Sequence, residues 1–234
     1  MATTQPYLLL NSGDVAADAQ TTFDILRAGG IAVIYLDVAY SILARTEAAV
    51  RKIYDTKRRS YSKPTGIVGS LPAHDALHIV SEEGRRVVRA VTVEHDLPLA
   101  VVAPFRRDHP FFANMEPFVF NNAIKGDTLN LLLNAGALRN RIGELSWQEQ
   151  IPMVGSSANV SLTGSRYAVE DIDPALLAIA DVVVDYGRSR YENPDRLSST
   201  MIDFRDYSIV RKGVCFDAIE AVFRSEFGIA LKEK

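Results

Sequence analysis

Two groups of polar side chains in this sequence have the residue types that bind an anionic ligand. The first is a basic cluster in which six cations accompany one acid, Asp55: Arg51, Lys52, Lys57, Arg58, Arg59 and Lys63. The second follows a short apolar run and contains Ser156, Ser157 and Asn159. Guanidinium and ammonium groups bind phosphate or carboxylate oxygens, and hydroxyl and amide groups donate to them. We therefore expect a phosphorylated or carboxylate ligand.

Each group is expected at the end of a secondary structure element. Thr46 has the residue type of a helix N-cap, and the apolar spacing after it predicts a helix over 47–56 that ends at the basic cluster. The apolar run before Gly155 predicts a buried strand that ends in a turn of small residues. Serine and asparagine also dominate ordinary turns, so this turn alone does not distinguish a binding loop from a helix cap.

Strand and helix patterns alternate along most of the chain. Further helices are predicted at 22–28, 75–80, 135–147, 175–180 and about 217–227, the last with a capping box of Asp217 and Glu220. Strands are predicted at 31–36, 66–69, 98–103, 117–121, 128–133, 152–154, 181–185, 199–204 and 207–211, the last two as a hairpin. This pattern predicts an α/β fold, a single-domain twisted mixed sheet with helices on its faces.

The composition excludes several classes of protein. A chain of 234 residues with 47% hydrophobic residues can bury a full core, and no apolar run reaches membrane-spanning length. Residues 1–6 lack the pattern of a secretory signal, so we expect a cytoplasmic location and no membrane partner. Cys215 is the only cysteine, which excludes an internal disulfide. His74 and His78 have helical spacing without a metalloprotease pattern, so we expect them on a solvated helix face and expect no metal site.

A hydrolase is one alternative interpretation of the serine turn. Gly155, Ser156 and Ser157 could form a nucleophile turn with a histidine as the base. That turn requires Gly-x-Ser-x-Gly, and Asn159 stands where the second glycine is needed. The sequence therefore disfavours a hydrolase.

Four segments resemble, in order and spacing, the signature of the YrdC/YciO family: Lys57-Arg58-Arg59 with Lys63-Pro64, Ser157-Ala158-Asn159, Ser199-Thr200-Met201-Ile202-Asp203, and Val210-Arg211-Lys212-Gly213. On this resemblance the chain is one YrdC-like domain over 1–234, with a core at about 21–213. The resemblance implies a positively charged concave face that binds nucleotides and double-stranded RNA. Members of the family include threonylcarbamoyl-AMP synthases, which join threonine, bicarbonate and ATP, release pyrophosphate and supply a tRNA modification.

The resemblance gives each matching residue an expected role. Lys57 and Arg59 would be the catalytic residues that hold the triphosphate, Arg59 through paired donors and Lys57 as a point charge. Lys63 would add charge at the same anion. Nucleotide contacts are also expected from Ser157, Asn159, Ser199 and Arg211. The implied cofactor is ATP with magnesium that the phosphates, and not the protein, ligate. The implied partners are a nucleotide and double-stranded RNA or tRNA.

The chain departs from the family pattern where the family binds threonine. The family segment Pro-Thr-Glu-Thr-Val-Tyr-Gly-Leu corresponds here to 35–42, with Leu36 and Val38 in place of both threonines. The acid Asp37 and the aromatic Tyr40 are retained, and they remain the expected substrate contacts. Leucine and valine cannot donate to a substrate carboxylate or hydroxyl, so we expect threonine to bind weakly or not at all.

A second departure lies in the strand at 128–133, where Leu132 replaces an arginine of the family pattern. The nearest arginines, Arg139 and Arg141, are predicted on the next helix and not on this strand. Two hypotheses follow. The chain is either a nucleotidyltransferase of the threonylcarbamoyl-AMP synthase type, acting on threonine or on another amino substrate, or a non-catalytic module of the same fold that binds double-stranded RNA or a nucleotide.

Overall fold

The computed structural model describes residues 6–233 of the chain. The ends of the predicted domain, and all but the last of the N-terminal residues used to predict a cytoplasmic location, lie outside the described residues. The strands are β1 (Leu8–Leu10), β2 (Ala32–Ile34), β3 (Ser41–Ala44), β4 (Gly66–Val68), β5 (Leu99–Pro104), β6 (Ile124–Lys125), β7 (Thr128–Leu133), β8 (Val154–Ser157), β9 (Val182–Val184), β10 (Met201–Asp203) and β11 (Ser208–Arg211). The helices are α1 (Val15–Arg27), α2 (Glu47–Thr56), α3 (Leu71–Leu77), α4 (Glu82–Arg89), α5 (Pro117–Ala123), α6 (Ala137–Gln148), α7 (Pro174–Leu177) and α8 (Phe216–Phe227).

These strands form one mixed sheet. Their order is β1-β9-β2-β3-β8-β4-β7-β5-β10-β11, and β6 pairs with β7 beside that path. Strand β4 runs parallel to β7 but antiparallel to β8, and β8 is also antiparallel to β3. The predicted twisted mixed α/β sheet with helices on its faces is therefore confirmed.

Alternate residues of the central strands face two different cores, because successive side chains of a strand point to opposite sides of a sheet. Ile67 and Leu131 belong to the larger core, which includes residues of α2, α4 and α8. Leu43 and Val68 belong to a second core with residues of α1 and α6. Helices α1 and α6 pack against each other on this second face. A cleft opens on the face of the sheet that carries this second core.

Local sequence signals account for the elements that lead to the site. Thr46 caps α2 as predicted, with its side chain accepting a hydrogen bond from the backbone of Ala49. Strand β7 has the predicted bounds. Strands β10 and β11 pair antiparallel, as expected for the late hairpin. These elements bring Arg59 of the basic cluster, the serine turn and the hairpin to the cleft.

Several local predictions were wrong, among them the start of α1, which is Val15 and not residue 22. The segment predicted as a strand at 117–121 is helix α5, which Pro117 begins and in which Val119 and Ala123, four residues apart, are buried. Asp217 lies within α8 and does not form its capping box, because Cys215 is the N-cap residue and makes no side-chain cap bond. Helix α3 begins earlier than predicted, at Leu71.

The histidine pair was also placed wrongly by the sequence. His74 and His78 are fully buried, and their Nδ1 atoms lie 2.8 Å apart. Nε2 of His78 lies 3.2 Å from the carbonyl oxygen of Leu129, so we assign the proton of His78 to Nε2 and the bridging proton to Nδ1 of His74. Burial lowers the pKa of His74 to about 4. Both rings are therefore neutral at physiological pH.

Within 6–233 no group of three or more histidine, cysteine, aspartate or glutamate side chains could hold a metal ion. No helix in the same range has both the length and the apolar character needed to cross a membrane.

Candidate functional site

A cleft of about 190 Å³ opens on the face of the sheet that carries the second core. Strands β3, β8, β4 and β7 supply its floor, and the hairpin of β10 and β11 contributes to its wall. On the floor, Ser41 of β3 lies opposite Ser157 of β8, and Leu43 lies opposite Gly155. Residues from six strands of one sheet therefore meet at a single concave surface.

Glycines keep the floor of the cleft close to the backbone. Gly155 and Gly66 are cross-strand partners on β8 and β4. A Cβ on Gly155 would overlap the side chain of Leu43, and a Cβ on Gly66 would lie 3.2 Å from Nδ2 of Asn130. The glycines therefore leave room for these neighbouring side chains and expose backbone to a ligand.

Five of the predicted site residues line this cleft: Tyr40, Arg59, Ser157, Ser199 and Arg211. Arg211 is held by two hydrogen bonds of 2.9 Å, from Nε to the carbonyl oxygen of Ser199 and from Nη2 to its hydroxyl. Arg59 donates from Nη2 to the carbonyl oxygen of Pro64 at 2.7 Å. Each guanidinium keeps further donors for an anion, because arginine carries five N–H groups.

Lys57 lies behind the cleft wall and does not line it, contrary to its predicted contact with the triphosphate. Its side chain is 1% exposed, and its amine donates a hydrogen bond to the carbonyl oxygen of Ser157. Burial lowers the pKa of Lys57 to about 7, and the charge of Arg59 adds to the effect. Lys57 is therefore placed to position the serine turn and to change charge near neutral pH.

Asn159 is also a residue of the wall and not of the cleft surface. Its side chain is 7% exposed, its amide oxygen accepts a hydrogen bond from the hydroxyl of Ser157, and its Nδ2 donates to the carbonyl oxygen of Val160 at 2.7 Å. These contacts fix the turn at the end of β8. We therefore revise the predicted nucleotide contact of Asn159 to support of Ser157.

The structure does not bring Lys63 and Asp37 to the cleft. Lys63 is exposed, and its carbonyl oxygen accepts a hydrogen bond of 2.8 Å from the hydroxyl of Tyr54. The carboxylate of Asp37 lies 3.8 Å from Nη1 of Arg190, away from the cleft lining. Neither residue lines the cleft, so its lining does not support the predicted phosphate contact of Lys63 or the predicted substrate contact of Asp37.

Tyr40 lines the cleft, but its hydroxyl is bound elsewhere. The hydroxyl lies 2.9 Å from Oδ1 of Asp185 and 2.8 Å from the carbonyl oxygen of Gly187. Burial is the main cause that raises the pKa of Tyr40 above its ordinary value, and the hydrogen bond to Asp185 is the next largest. The phenol therefore stays protonated, and we do not expect it to act as a base at neutral pH.

Arg139 and Asn130 are among the polar cleft residues that were not predicted as site residues. Arg139 reaches the cleft from α6, is 3% exposed and donates from Nη1 to the carbonyl oxygen of Gly69. Asn130 lines the cleft from β7. Gly143 is a sequence signal that could have indicated the position of Arg139, because a small residue four positions along a helix leaves room beside a long side chain.

Sequence comparison identifies relatives of the chain. The sequence model of the Sua5, YciO and YrdC family, described as "Telomere recombination", matches residues 24–213. A protein of Methanocaldococcus jannaschii, with the provisional name threonylcarbamoyl-AMP synthase, is 27% identical over 191 residues, which are 80% of this chain and 81% of the relative.

Structure comparison shows the same fold in solved proteins. P. abyssi Sua5 complexed with L-threonine matches with a TM-score of 0.73 and 20% identity, over 97% of this chain and 62% of that one. A hypothetical protein from Streptococcus mutans UA159 matches with a TM-score of 0.77 and 17% identity, over 97% and 98% of the two chains. The present chain thus spans about 62% of the length of the archaeal Sua5. Because the family model covers most of its residues, the chain belongs to the Sua5/YciO/YrdC family.

Proposed function

We propose that the chain binds ATP with magnesium in the cleft and uses it to convert bicarbonate and an amino substrate into a carbamoyl-adenylate, with release of pyrophosphate. The observation that carries this proposal is the convergence of Arg59 and Arg211, from distant segments, on the cleft that Ser157 and Ser199 also line. Two guanidinium groups beside hydroxyl donors suit a polyphosphate, which arginine binds through paired hydrogen bonds.

The proposed reaction has two steps. The substrate amine and bicarbonate first form a carbamate and water. A carbamate oxygen then attacks the α-phosphorus of ATP, the bond from that phosphorus to the bridging oxygen of the β-phosphate breaks, and pyrophosphate leaves. The protein has to position the reactants and to stabilise the negative charge that grows on pyrophosphate. Arg59 and Arg211 supply that charge stabilisation, and the Ser157 turn orients the phosphates.

The cleft fits a magnesium ion that arrives with the nucleotide. The residues that line it include no aspartate or glutamate within the described part of the chain. Magnesium binds to proteins mainly through carboxylates and otherwise through substrate phosphates and water. In this proposal the triphosphate oxygens hold the ion, and the arginines bind the remaining charge.

Its relatives support a role in tRNA modification. The archaeal Sua5 of the same fold was solved with L-threonine, and the M. jannaschii relative is provisionally named as a synthase of threonylcarbamoyl-AMP. We extend to this chain the general activity, formation of a carbamoyl-adenylate that serves tRNA modification. That role implies a cytoplasmic location.

Pyrophosphate release tests the proposal. The purified chain is incubated with ATP, magnesium, bicarbonate and a panel of amino acids, and pyrophosphate is measured with and without bicarbonate. We expect release that requires both bicarbonate and an amino acid. Arg59→Gln should reduce it at least about 100-fold, as expected when a charge-stabilising donor is lost. Arg58→Gln, the exposed neighbour, is the matched control and should retain it. Pyrophosphate release that does not require ATP, or that does not require bicarbonate, would refute the proposed reaction.

A second candidate function is binding of double-stranded RNA or tRNA without turnover. Tyr61 is 43% exposed and stacks on Tyr54 with ring centroids 5.0 Å apart. The guanidinium of Arg51 lies 5.7 Å from the Tyr61 ring. Cations beside an exposed aromatic ring suit contacts with phosphates and bases. RNA retention that weakens steeply with salt, in a protein that releases no pyrophosphate, would favour this function.

A further inference from the structure

Arg139 is a buried cation without a charged partner in the described part of the chain. Its guanidinium donates from Nη1 to the carbonyl oxygen of Gly69, and no carboxylate oxygen of residues 6–233 lies within 4.0 Å of it. Burial alone accounts for its lowered pKa, of about 9. A buried charge without a counter-ion is costly, and arginine has five N–H donors. The cleft that Arg139 lines is the place from which an anion could reach it.

Asn130 lines the same cleft and carries a buried acceptor without a partner in the described part of the chain. Its Oδ1 is buried and has no hydrogen-bond donor among the described residues. Its amide lies over Gly66, because a Cβ there would be 3.2 Å from Nδ2. Buried polar atoms of native proteins almost always have a partner, so an orphan atom in a cleft indicates a missing ligand. A ligand that donates, such as an amine, would complete this site.

Close packing of α6 fixes the position of the guanidinium. A Cβ on Gly143 would lie 2.6 Å from the carbonyl oxygen of Gly69 and 3.5 Å from Nη1 of Arg139. The helix therefore lies directly on Gly69, and the arginine one turn earlier has little freedom to move. A preorganised donor of this kind binds an anion with little loss of side-chain entropy.

The walls near Arg139 are apolar. Leu36, Val38 and Val68 line the cleft and belong to the second core, which also contains Leu138 and Ile142 of α6. Leu132 lines the cleft and packs against the same core. A ligand bound to Arg139 therefore has its nearest non-polar part against branched aliphatic side chains. These apolar side chains favour contact with an aliphatic group and offer no hydrogen bond to a hydroxyl.

We propose that Arg139 and Asn130 form the recognition site for a small α-amino acid with an aliphatic side chain. The carboxylate binds Arg139, the amine donates to Oδ1 of Asn130, and the side chain packs on Leu36, Val38 and Leu132. This inference rests on the proposed function, because it names the amino substrate of that reaction. Threonine is disfavoured, since these aliphatic walls give its hydroxyl no partner.

Calorimetric titration of the full chain with L-valine and two analogues tests this site, both with and without ATP and magnesium. L-Valinamide lacks the carboxylate, and 3-methylbutanoate lacks the amine. We expect L-valine to bind, and each analogue to bind at least about tenfold more weakly. A loss of this size is expected when one hydrogen bond to a charged group is removed. L-Threonine should also bind at least about tenfold more weakly than L-valine.

Variants assign the two contacts. Arg139→Gln should lower the affinity for L-valine at least about tenfold and leave the affinity for L-valinamide nearly unchanged. Asn130→Ala should make the affinities for L-valine and 3-methylbutanoate similar. Arg141→Gln is the matched control, because Arg141 lies on the same helix and pairs with Glu144 at the surface. The wild-type titrations do not depend on the folding of any variant.

Some outcomes would overturn the inference and leave the proposed function intact. Equal affinity for L-valine and L-valinamide would show that Arg139 is only a structural donor to Gly69. An absence of L-valine binding in both conditions would also overturn it, and bicarbonate-dependent pyrophosphate release with another amino acid would then still support the proposed reaction. L-Valine binding without any pyrophosphate release would instead refute the reaction and retain the amino acid site.

Discussion

The amine of Lys57 donates a hydrogen bond to the backbone carbonyl oxygen of Ser157, across 100 residues of sequence. This bond joins the C-terminal end of α2 to the end of β8. It brings Arg59 of the basic cluster and the serine turn, which the sequence singled out separately, to one cleft. Because β8 lies between β3 and β4, the turn also meets residues from both neighbouring strands. The cleft is thus built by long-range pairing within one sheet.

The titration of Lys57 should appear in nucleotide binding. Burial lowers its pKa to about 7, so nucleotide phosphates nearby should favour the protonated amine. We expect the affinity for ATP to fall several-fold between pH 6.5 and 8.5 in the wild type, beyond the titration of ATP itself. Lys57→Met should bind ATP more weakly and lose this extra pH dependence. Calorimetry at several pH values measures both. An unchanged pH profile in Lys57→Met would contradict the role of Lys57.

A methyl group at Gly213 should disturb the hairpin side of the cleft. Its Cβ would overlap the backbone at Ser198 and Ser199, which cannot rotate away as a side chain can. Gly213→Ala should therefore destabilise the protein by about 1–3 kcal/mol and weaken ATP binding through Ser199 and Arg211. Gly84→Ala, within α4, is the control, because a Cβ there would lie 3.4 Å from side-chain atoms of Phe204 and Ser81, and it should be neutral or stabilising. Urea unfolding compares the two variants, and equal stabilities would contradict the expected clash.

The buried histidine pair should make the protein sensitive to acid. The pKa of His74 falls to about 4, and burial holds that of His78 well below its ordinary value. Below about pH 6.5 the unfolded chain takes up protons that the folded state excludes, so the free energy of unfolding should decrease as pH falls from 6.5 toward 4. The slope should be about 1.4 kcal/mol per pH unit for each histidine.

Variants of the histidines separate this effect from general acid denaturation. His74→Leu should remove about half of the slope measured by urea unfolding between pH 6.5 and 4.5. His95→Gln is the control, because His95 is exposed and pairs with Glu226 at the surface. A slope that His74→Leu leaves unchanged would show that the buried pair does not control acid stability.

Restoring hydroxyl groups to the apolar wall should restore threonine recognition. Leu36 and Val38 line the cleft and are 4% and 2% exposed. The double variant Leu36→Thr/Val38→Thr should bind L-threonine at least about tenfold more tightly than the wild type and L-valine more weakly, because a buried hydroxyl gains partners. Calorimetry with both amino acids gives the ratio. Tight threonine binding by the wild type would show that the apolar wall does not set specificity.

The sequence predicted the elements in which local and tertiary preferences agree. Helix α2 has a capping threonine and a regular apolar face, and strand β7 is mostly apolar, with four leucines in six residues, so both were predicted with correct bounds. The segment 117–121 has the aromatic and β-branched composition of a strand, yet Pro117 begins a helix that buries Val119. Local composition alone could not resolve that conflict, because the helix is stabilised by distant contacts.

The site was predictable where a motif fixes the backbone and not where a side chain reaches from afar. Arg59, Ser157, Ser199 and Arg211 line the cleft as expected. Lys63 does not, since the turn after α2 directs it to solvent. Arg139 enters the cleft from α6 only because Gly143 lets the helix lie on Gly69. That approach depends on the packing of two elements, which spacing within one segment cannot show.

Titration of ATP with magnesium into the wild type and two variants tests the central claim most directly. If the cleft is a nucleotide site, Arg59→Gln and Arg211→Gln should each lower the affinity for ATP at least about tenfold, because each removes a charged hydrogen bond to phosphate. Arg58→Gln, at an exposed position beside Arg59, should bind like the wild type. Equal affinity for ATP in all four proteins, or no ATP binding by the wild type, would contradict the claim that this cleft holds a nucleotide.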